Sequence, residues 1–229
     1  MVERQKPQRP GAGRLKRRAA RIRDRQEASV FAEILRRLCE GTGSRAAALV
    51  DGEGETVDYF AGVLDPFSVR IAAAEWRLVL DAAERARVPF WASTGVLLVR
   101  ARSASYALAP LSEGYAIVLQ LARNCFRISE RALAVATQEL CDESGLKSAP
   151  LLGKGERWVR IRVQTVAGNP RKPLAVWHKN QWRGLVVLGR YRDLESGVRE
   201  IAFRARLATG AEFSLVREPL GIWYAENLA

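Results

Sequence analysis

One histidine limits the chemistry open to this chain. His178 stands between Trp177 and Lys179, so any Ser-His-Asp or Cys-His arrangement must use it as the base. No Ser or Cys lies in the G-x-S-x-G context that would expose a nucleophile to it. A histidine in solvent or at a hairpin end accounts for it. The three cysteines, Cys39, Cys125 and Cys141, lack C-x-x-C spacing, and the carboxylates are dispersed, so no metal site is predicted. Each cysteine falls in a patterned segment and reads as a buried, reduced thiol. Gly-x-Gly occurs at 41–43, 52–54 and 153–155, and none fits a phosphate loop: Gly153-Lys154 lacks both the upstream Gly and the following Ser or Thr. No catalytic residue, nucleotide or cofactor is expected.

Charge carries the stronger signal. The 229 residues have a net charge of +12, unevenly spread. Residues 1–28 hold ten Lys and Arg against three Asp and Glu, residues 29–147 thirteen against fifteen, and residues 148–229 fourteen against seven. A nearly neutral middle is thus flanked by two basic segments, which favours a polyanionic partner; the rival reading is a basic proteome with Arg on solvated faces. Arg14, Lys16, Arg17, Arg18, Arg21, Arg23 and Arg25 form one dense run, while Arg160, Arg162, Trp177, Lys179, Trp182 and Arg183 interleave cations with aromatics. Small barrels bind single strands with that combination of stacking and phosphate neutralisation. The competing reading places the tryptophans in a core. An anionic membrane surface ranks below nucleic acid for the arm, which has no Trp/Phe/Leu face.

The elements that would position these groups fall in order. Residues 1–12 are too rich in Pro and Gly to pack, and 14–25 read as a helix with basic side chains nearly all round, ordered only on a partner. Ser29 caps a helix carrying Val30, Phe31, Ile34, Leu35 and Leu38, ended by Gly41 and Gly43. Ala46–Val50 and Val57–Ala61 form a hairpin around Asp51-Gly-Glu-Gly54. Asp65 and Pro66 open a long helix reaching about Arg87, with apolar Ile71, Ala74, Trp76, Leu78, Val79, Ala82 and Ala83. That stripe is wider than one sheet face needs and implies a second protein, with Trp76 and Leu80 near its edge. Gly95–Val99, Ser105–Ala109 and Tyr115–Leu121 read as three more strands. The expected sheet has a single covered face. Ser129 starts a further helix closed near Gly145, and residues 146–157 read as a linker. In Trp158–Val166, apolar Val159, Ile161 and Val163 alternate with Arg160, Arg162 and Gln164; with the short strands that follow it implies a small closed barrel, SH3-like or OB-like, over 158–229.

The order helix, two strands, helix, three strands, helix over residues 29–145 resembles the Roadblock/LC7 family. Ala47-Ala-Leu-Val-Asp-Gly-Glu-Gly54 and Leu111-Ser-Glu-Gly-Tyr-Ala-Ile-Val118 carry the resemblance, which covers about half the chain. It implies an α+β fold, a five-stranded antiparallel sheet covered by helices, with a homodimer formed through the central helix and third strand. Carried over, the dimer face is Ile71, Ala74, Leu78, Val79 and Ala82 with Val96 and Leu98. Several members of the family regulate or anchor Ras-like small GTPases. The basic arm and the barrel lie outside the family pattern. The barrel, through Trp182-Arg-Gly184, Arg190-Tyr-Arg192 and Trp223-Tyr224, is similar to a small bacterial domain of unknown function.

The expectation is a non-enzymatic regulatory or scaffold protein, homodimeric, with a Ras-like small GTPase as partner. The alternative is a nucleic-acid-associated protein binding DNA or RNA through arm and barrel. No apolar h-region opens the sequence and no apolar run of about 18 residues occurs, so it reads as cytoplasmic.

Overall fold

The computed structural model describes residues 29–86, 95–123, 125, 128–147, 158–191, 200–226 and 228. The basic run at 14–25 and linker residues 148–157 lie outside them. The first unit runs α1 (Val30–Thr42), β1 (Ala46–Val50), β2 (Thr56–Phe60), α2 (Pro66–Arg85), β3 (Leu97–Arg100), β4 (Ser105–Pro110), a 3-10 turn (Ser112–Gly114), β5 (Ala116–Leu121) and α3 (Glu130–Ser144). Its strands form an antiparallel sheet in the order β2-β1-β5-β4-β3. This is the α+β arrangement expected from the sequence.

The helix ends follow their capping residues. The Ser29 and Ser129 hydroxyls accept from the amides of Ala32 and Ala132, each at 2.9 Å. The Asp65 carboxylate accepts from the Ser68 amide at 3.0 Å ahead of α2. Gly43 and Gly145 close α1 and α3 in the left-handed region, at φ 71° and 74°, where a side chain is disfavoured.

The sheet is covered on both faces, not on one. Every residue of β1 is buried. Ala46, Ala48 and Val50 join Val118 and Leu108 beneath Val69, Ala73 and Leu80 of α2. Ala47 and Leu49 join Ile117, Leu119 and Leu121 beneath α1 and α3, through Ile34, Leu35, Leu38, Leu133 and Leu140. A continuous apolar strand suits a sheet flanked on both sides, whereas one wet face would have forced alternation.

The second unit comprises β6 (Trp158–Ile161), β7 (Val163–Val166), β8 (Asn169–His178), β9 (Gln181–Tyr191), β10 (Ile201–Leu207), β11 (Glu212–Arg217) and β12 (Trp223–Glu226). They form a seven-stranded antiparallel sheet, β6-β12-β11-β10-β9-β8-β7, curled into a half-barrel. The run 158–166 is not one strand. It bends at Arg162, so that β6 pairs with β12 at one edge and β7 with β8 at the other. Inside lie Val176, Phe203, Ala205, Phe213, Leu215, Trp223 and Ala225, and the alternating Val159, Ile161 and Val163 pack against them. The Phe203 and Trp223 rings stack with centroids 6.0 Å apart.

Candidate functional site

Helix α2 is apolar on two opposite arcs. At 3.6 residues per turn, Val69, Ala73 and Leu80 share one arc and Phe67, Ile71, Ala74, Leu78 and Ala82 the other. The first arc is buried on the sheet, and Leu80, expected near the edge of the outer stripe, is 1% exposed within it. The second arc faces outward, with Phe67 68%, Ile71 43% and Leu78 63% exposed; Val79 beside it is 41% exposed. Trp76 lies at the flank, its ring 4.7 Å from that of Tyr106. Arg77 interrupts the apolar pattern yet is buried: its Nε donates to the Asp51 carbonyl at 3.3 Å, and its guanidinium pairs with Asp81. It ties α2 to the β1–β2 hairpin.

The third-strand residues do not extend that arc. Along β3, Leu97 and Val99 pack on the α2 side of the sheet, and Val96 on the α1/α3 side. Strand alternation puts Leu98, 43% exposed, with Val96. β3 is an outer strand, bonded to β4 alone among the described residues, so its free edge borders both faces.

The two units meet through buried polar groups. Tyr224 of β12, 1% exposed, belongs to the core beneath α1 and α3. Gly41 leaves room for it: a Cβ there would lie 2.7 Å from the Ala132 Cβ and 2.9 Å from the Tyr224 hydroxyl. Beside it, the Arg131 Nη1 lies 2.7 Å from Glu200 and 3.6 Å from Glu218, and its guanidinium sits 4.6 Å over the Trp158 ring. The Ser129 hydroxyl, the cap of α3, lies close enough to Glu218 and Tyr224 to favour the charged form of each. Burial pushes the Glu218 carboxyl above its ordinary value, against the lowering by Ser129 and Arg131, and burial raises the Tyr224 hydroxyl. A cleft of about 330 Å³ opens between α1, α3 and β6. Its rim arginines are answered locally: Arg37 by Glu139 at 2.7 Å, Arg160 by Glu40 at 3.3 Å, and Arg36 by Glu33 and Glu40. Arg162, the fourth arginine that lines the cleft, has no ion pair among the described residues.

The β8–β9 hairpin brings together part of the cation–aromatic set. Trp177 and Trp182 are paired across the strands in edge contact, centroids 5.5 Å apart at 72°. The Arg162 guanidinium lies 5.5 Å from the first ring centroid and 5.8 Å from the second. Lys179 and Asn180 form the two-residue turn, both at positive φ, and His178 pairs with Gln181 behind it. Arg160 is drawn away to Glu40, and Arg183 sits opposite Val176, a core residue, on the inner side of the sheet. Of the cysteines, Cys39 and Cys141 are buried and Cys125 is half-buried, all as free thiols; burial and the neighbouring Glu40 push Cys39 up to about 12. Among the described residues, no group of three His, Cys, Asp or Glu could hold a metal ion, and no helix is long and apolar enough to cross a membrane.

Sequence reasoning missed Arg77, Ser129 as a shared partner, and Arg131 with Glu200 and Glu218. Only an arginine inside an apolar helical stripe could have flagged the first; the others come together solely through tertiary contact.

No protein family pattern and no curated protein matches this sequence. Several solved structures are similar to it in part, two of them as follows. Myxococcus xanthus MglB is 13% identical, with a TM-score of 0.40, over 52% of this chain and 98% of its own. The Roadblock/LC7 domain from Streptomyces avermitilis is 17% identical, with a TM-score of 0.36, over 50% of this chain and 91% of its own.

Proposed function

We propose that this protein is a non-enzymatic regulatory scaffold that homodimerises through the outer arc of α2 and captures a Ras-like small GTPase. One observation carries the dimer reading. A helix whose inner arc already fills the sheet keeps Phe67, Ile71 and Leu78 exposed in line, at spacings of four and seven residues. Such a seam buries efficiently against a second copy of itself, because symmetry places the same ridge on both partners. The GTPase reading rests on the Ala47–Gly54 and Leu111–Val118 motifs and their resemblance to the Roadblock/LC7 family. The free edge of β3 borders the α2 side of the sheet, whereas Val96 and Leu98 face the α1/α3 side and stay outside the proposed seam.

Sedimentation velocity tests the dimer. Leu78→Asp places a charge on an exposed ridge position and leaves the fold intact, so a dimer that becomes a folded monomer is the expected outcome. A wild-type chain that is monomeric at tens of micromolar overturns the reading. The second arm measures capture of the source organism's Ras-like GTPases, loaded with GDP or a GTP analogue, by wild type and by Leu78→Asp. Capture lost with the dimer is expected, and no capture in either nucleotide state removes the GTPase.

A further inference from the structure

We propose that the outward face of the bent strand and the β8–β9 hairpin is a binding platform for single-stranded nucleic acid, with Trp182 as its stacking surface. The site is separate from the α2 seam and goes beyond the scaffold reading.

Register builds the platform row by row. Arg162, Trp177 and Trp182 form one row across the three strands, Arg162 joined by the Trp177 N–H donated to its carbonyl at 2.9 Å. The next row on the same face is Gln164, Ala175 and Gly184. This row is low: a Cβ at Gly184 would meet nothing within 4 Å. A strand glycine facing open space lets another chain approach the backbone closely. The aromatic row therefore borders a shallow trough, and the edge contact between the rings leaves Trp182 45% exposed.

Charge selects the occupant. Residues 158–191 contain seven Lys and Arg and no Asp or Glu, whereas residues 200–226 hold three Arg against four Glu. Arg162, Arg171, Lys172 and Lys179 are exposed, and among the described residues none of the four makes an ion pair; Arg190 sits opposite the core residue Phe203, on the other face. Uncompensated cations around a stacking surface are what a flexible polyanion with π-faces requires, because bases stack while phosphates meet the rim. A duplex hides its base faces and gains nothing from Trp182. An anionic membrane fits less well: the hairpin tip, His178-Lys-Asn-Gln181, is polar, and the tryptophans lie behind it rather than at its end.

Fluorescence anisotropy of the full chain with labelled oligo-dT and oligo-U 20-mers, a duplex of equal length, and phosphatidylcholine/phosphatidylglycerol vesicles by flotation tests the platform. Single strands should bind at least about tenfold tighter than duplex. Trp182→Ala should weaken single-strand binding by about 5- to 100-fold without changing the salt slope, and Trp182→Tyr should recover most of it. Gly184→Val, which fills the trough from an open position and leaves Trp182 in place, should weaken binding as well. Arg171→Ala/Lys172→Ala should reduce the slope of log K against log salt by about one unit. Equal affinity for duplex, single-strand binding indifferent to both Trp182→Ala and Gly184→Val, or flotation without single-strand binding overturns the proposal. Leu78→Asp, run alongside, reports on the seam independently.

Discussion

Gly41→Ala tests how tightly α1 and α3 close over Tyr224. The added methyl would stand 2.7 Å from the Ala132 Cβ and 2.9 Å from the Tyr224 hydroxyl. Carbon atoms pack at 3.5–4.0 Å, so the helices must part locally by about 1 Å, and Ala132 has no side-chain torsion with which to yield. Overpacking of this kind costs about 1–3 kcal/mol. Against it stands a helix-propensity gain of at most about 1 kcal/mol, smaller this near the end of α1. Gly41→Ala should therefore lose about 1–2 kcal/mol, seen as a lower urea midpoint with an unchanged slope. Ala132→Gly removes the opposing methyl and should cost about 1 kcal/mol in the wild-type background, but much less in the Gly41→Ala background. The double-mutant cycle should show a coupling of about 1–2 kcal/mol. A Gly41→Ala variant that is stabilised, or a coupling within about 0.3 kcal/mol of zero, would refute the close approach of the two helices.

The polar junction supplies the remaining predictions. Arg131→Met leaves Glu200 and Glu218 facing each other without their cation, and a broken buried pair of this sort costs about 3–5 kcal/mol; urea titrations should show that loss near neutral pH. In the wild-type protein, burial holds the Glu218 carboxyl above its unfolded value. Between the two values the folded state binds more protons, so this group's effect is that stability falls as pH rises through that window. Glu218→Gln should remove that part of the slope above the ordinary carboxylate range, and an unchanged slope in parallel titrations would sink the assignment.

Local signals in the sequence were sufficient for most elements. Ser29, Ser129, Gly43 and Gly145 mark helix ends because capping is a matter of two or three neighbouring residues. The alternation in 158–166 separates Ile161 from Arg162 correctly, yet it does not reveal the bend at Arg162, which exists because two distant strands, β8 and β12, each claim half the run. Ala46–Val50 carried a plain statement of double burial in its unbroken apolar run, which the expectation of a single covered face overlooked. Leu80 shows a limit of periodicity. When a helix is apolar on two arcs, spacing cannot say which arc meets its own sheet. The junction was illegible for a different reason: Ser129 and Tyr224 are 95 positions apart, and no local pattern announces their meeting.

The bent strand also imposes a schedule on synthesis. β7 can pair with β8 almost as soon as both have emerged, because Val163 and Val176 are 13 positions apart. β6 cannot: Ile161 waits for Trp223, 62 positions later. At about 5–20 residues per second, the ribosome keeps Trp158–Ile161 without a partner strand for about 3–12 s. Over the same interval the hollow between α1 and α3 lacks Tyr224. A translating chain of this protein thus passes through an obligatory phase in which a half-strand and an apolar socket are open together, and any message that stalls before codon 223 yields a first unit with that socket still exposed.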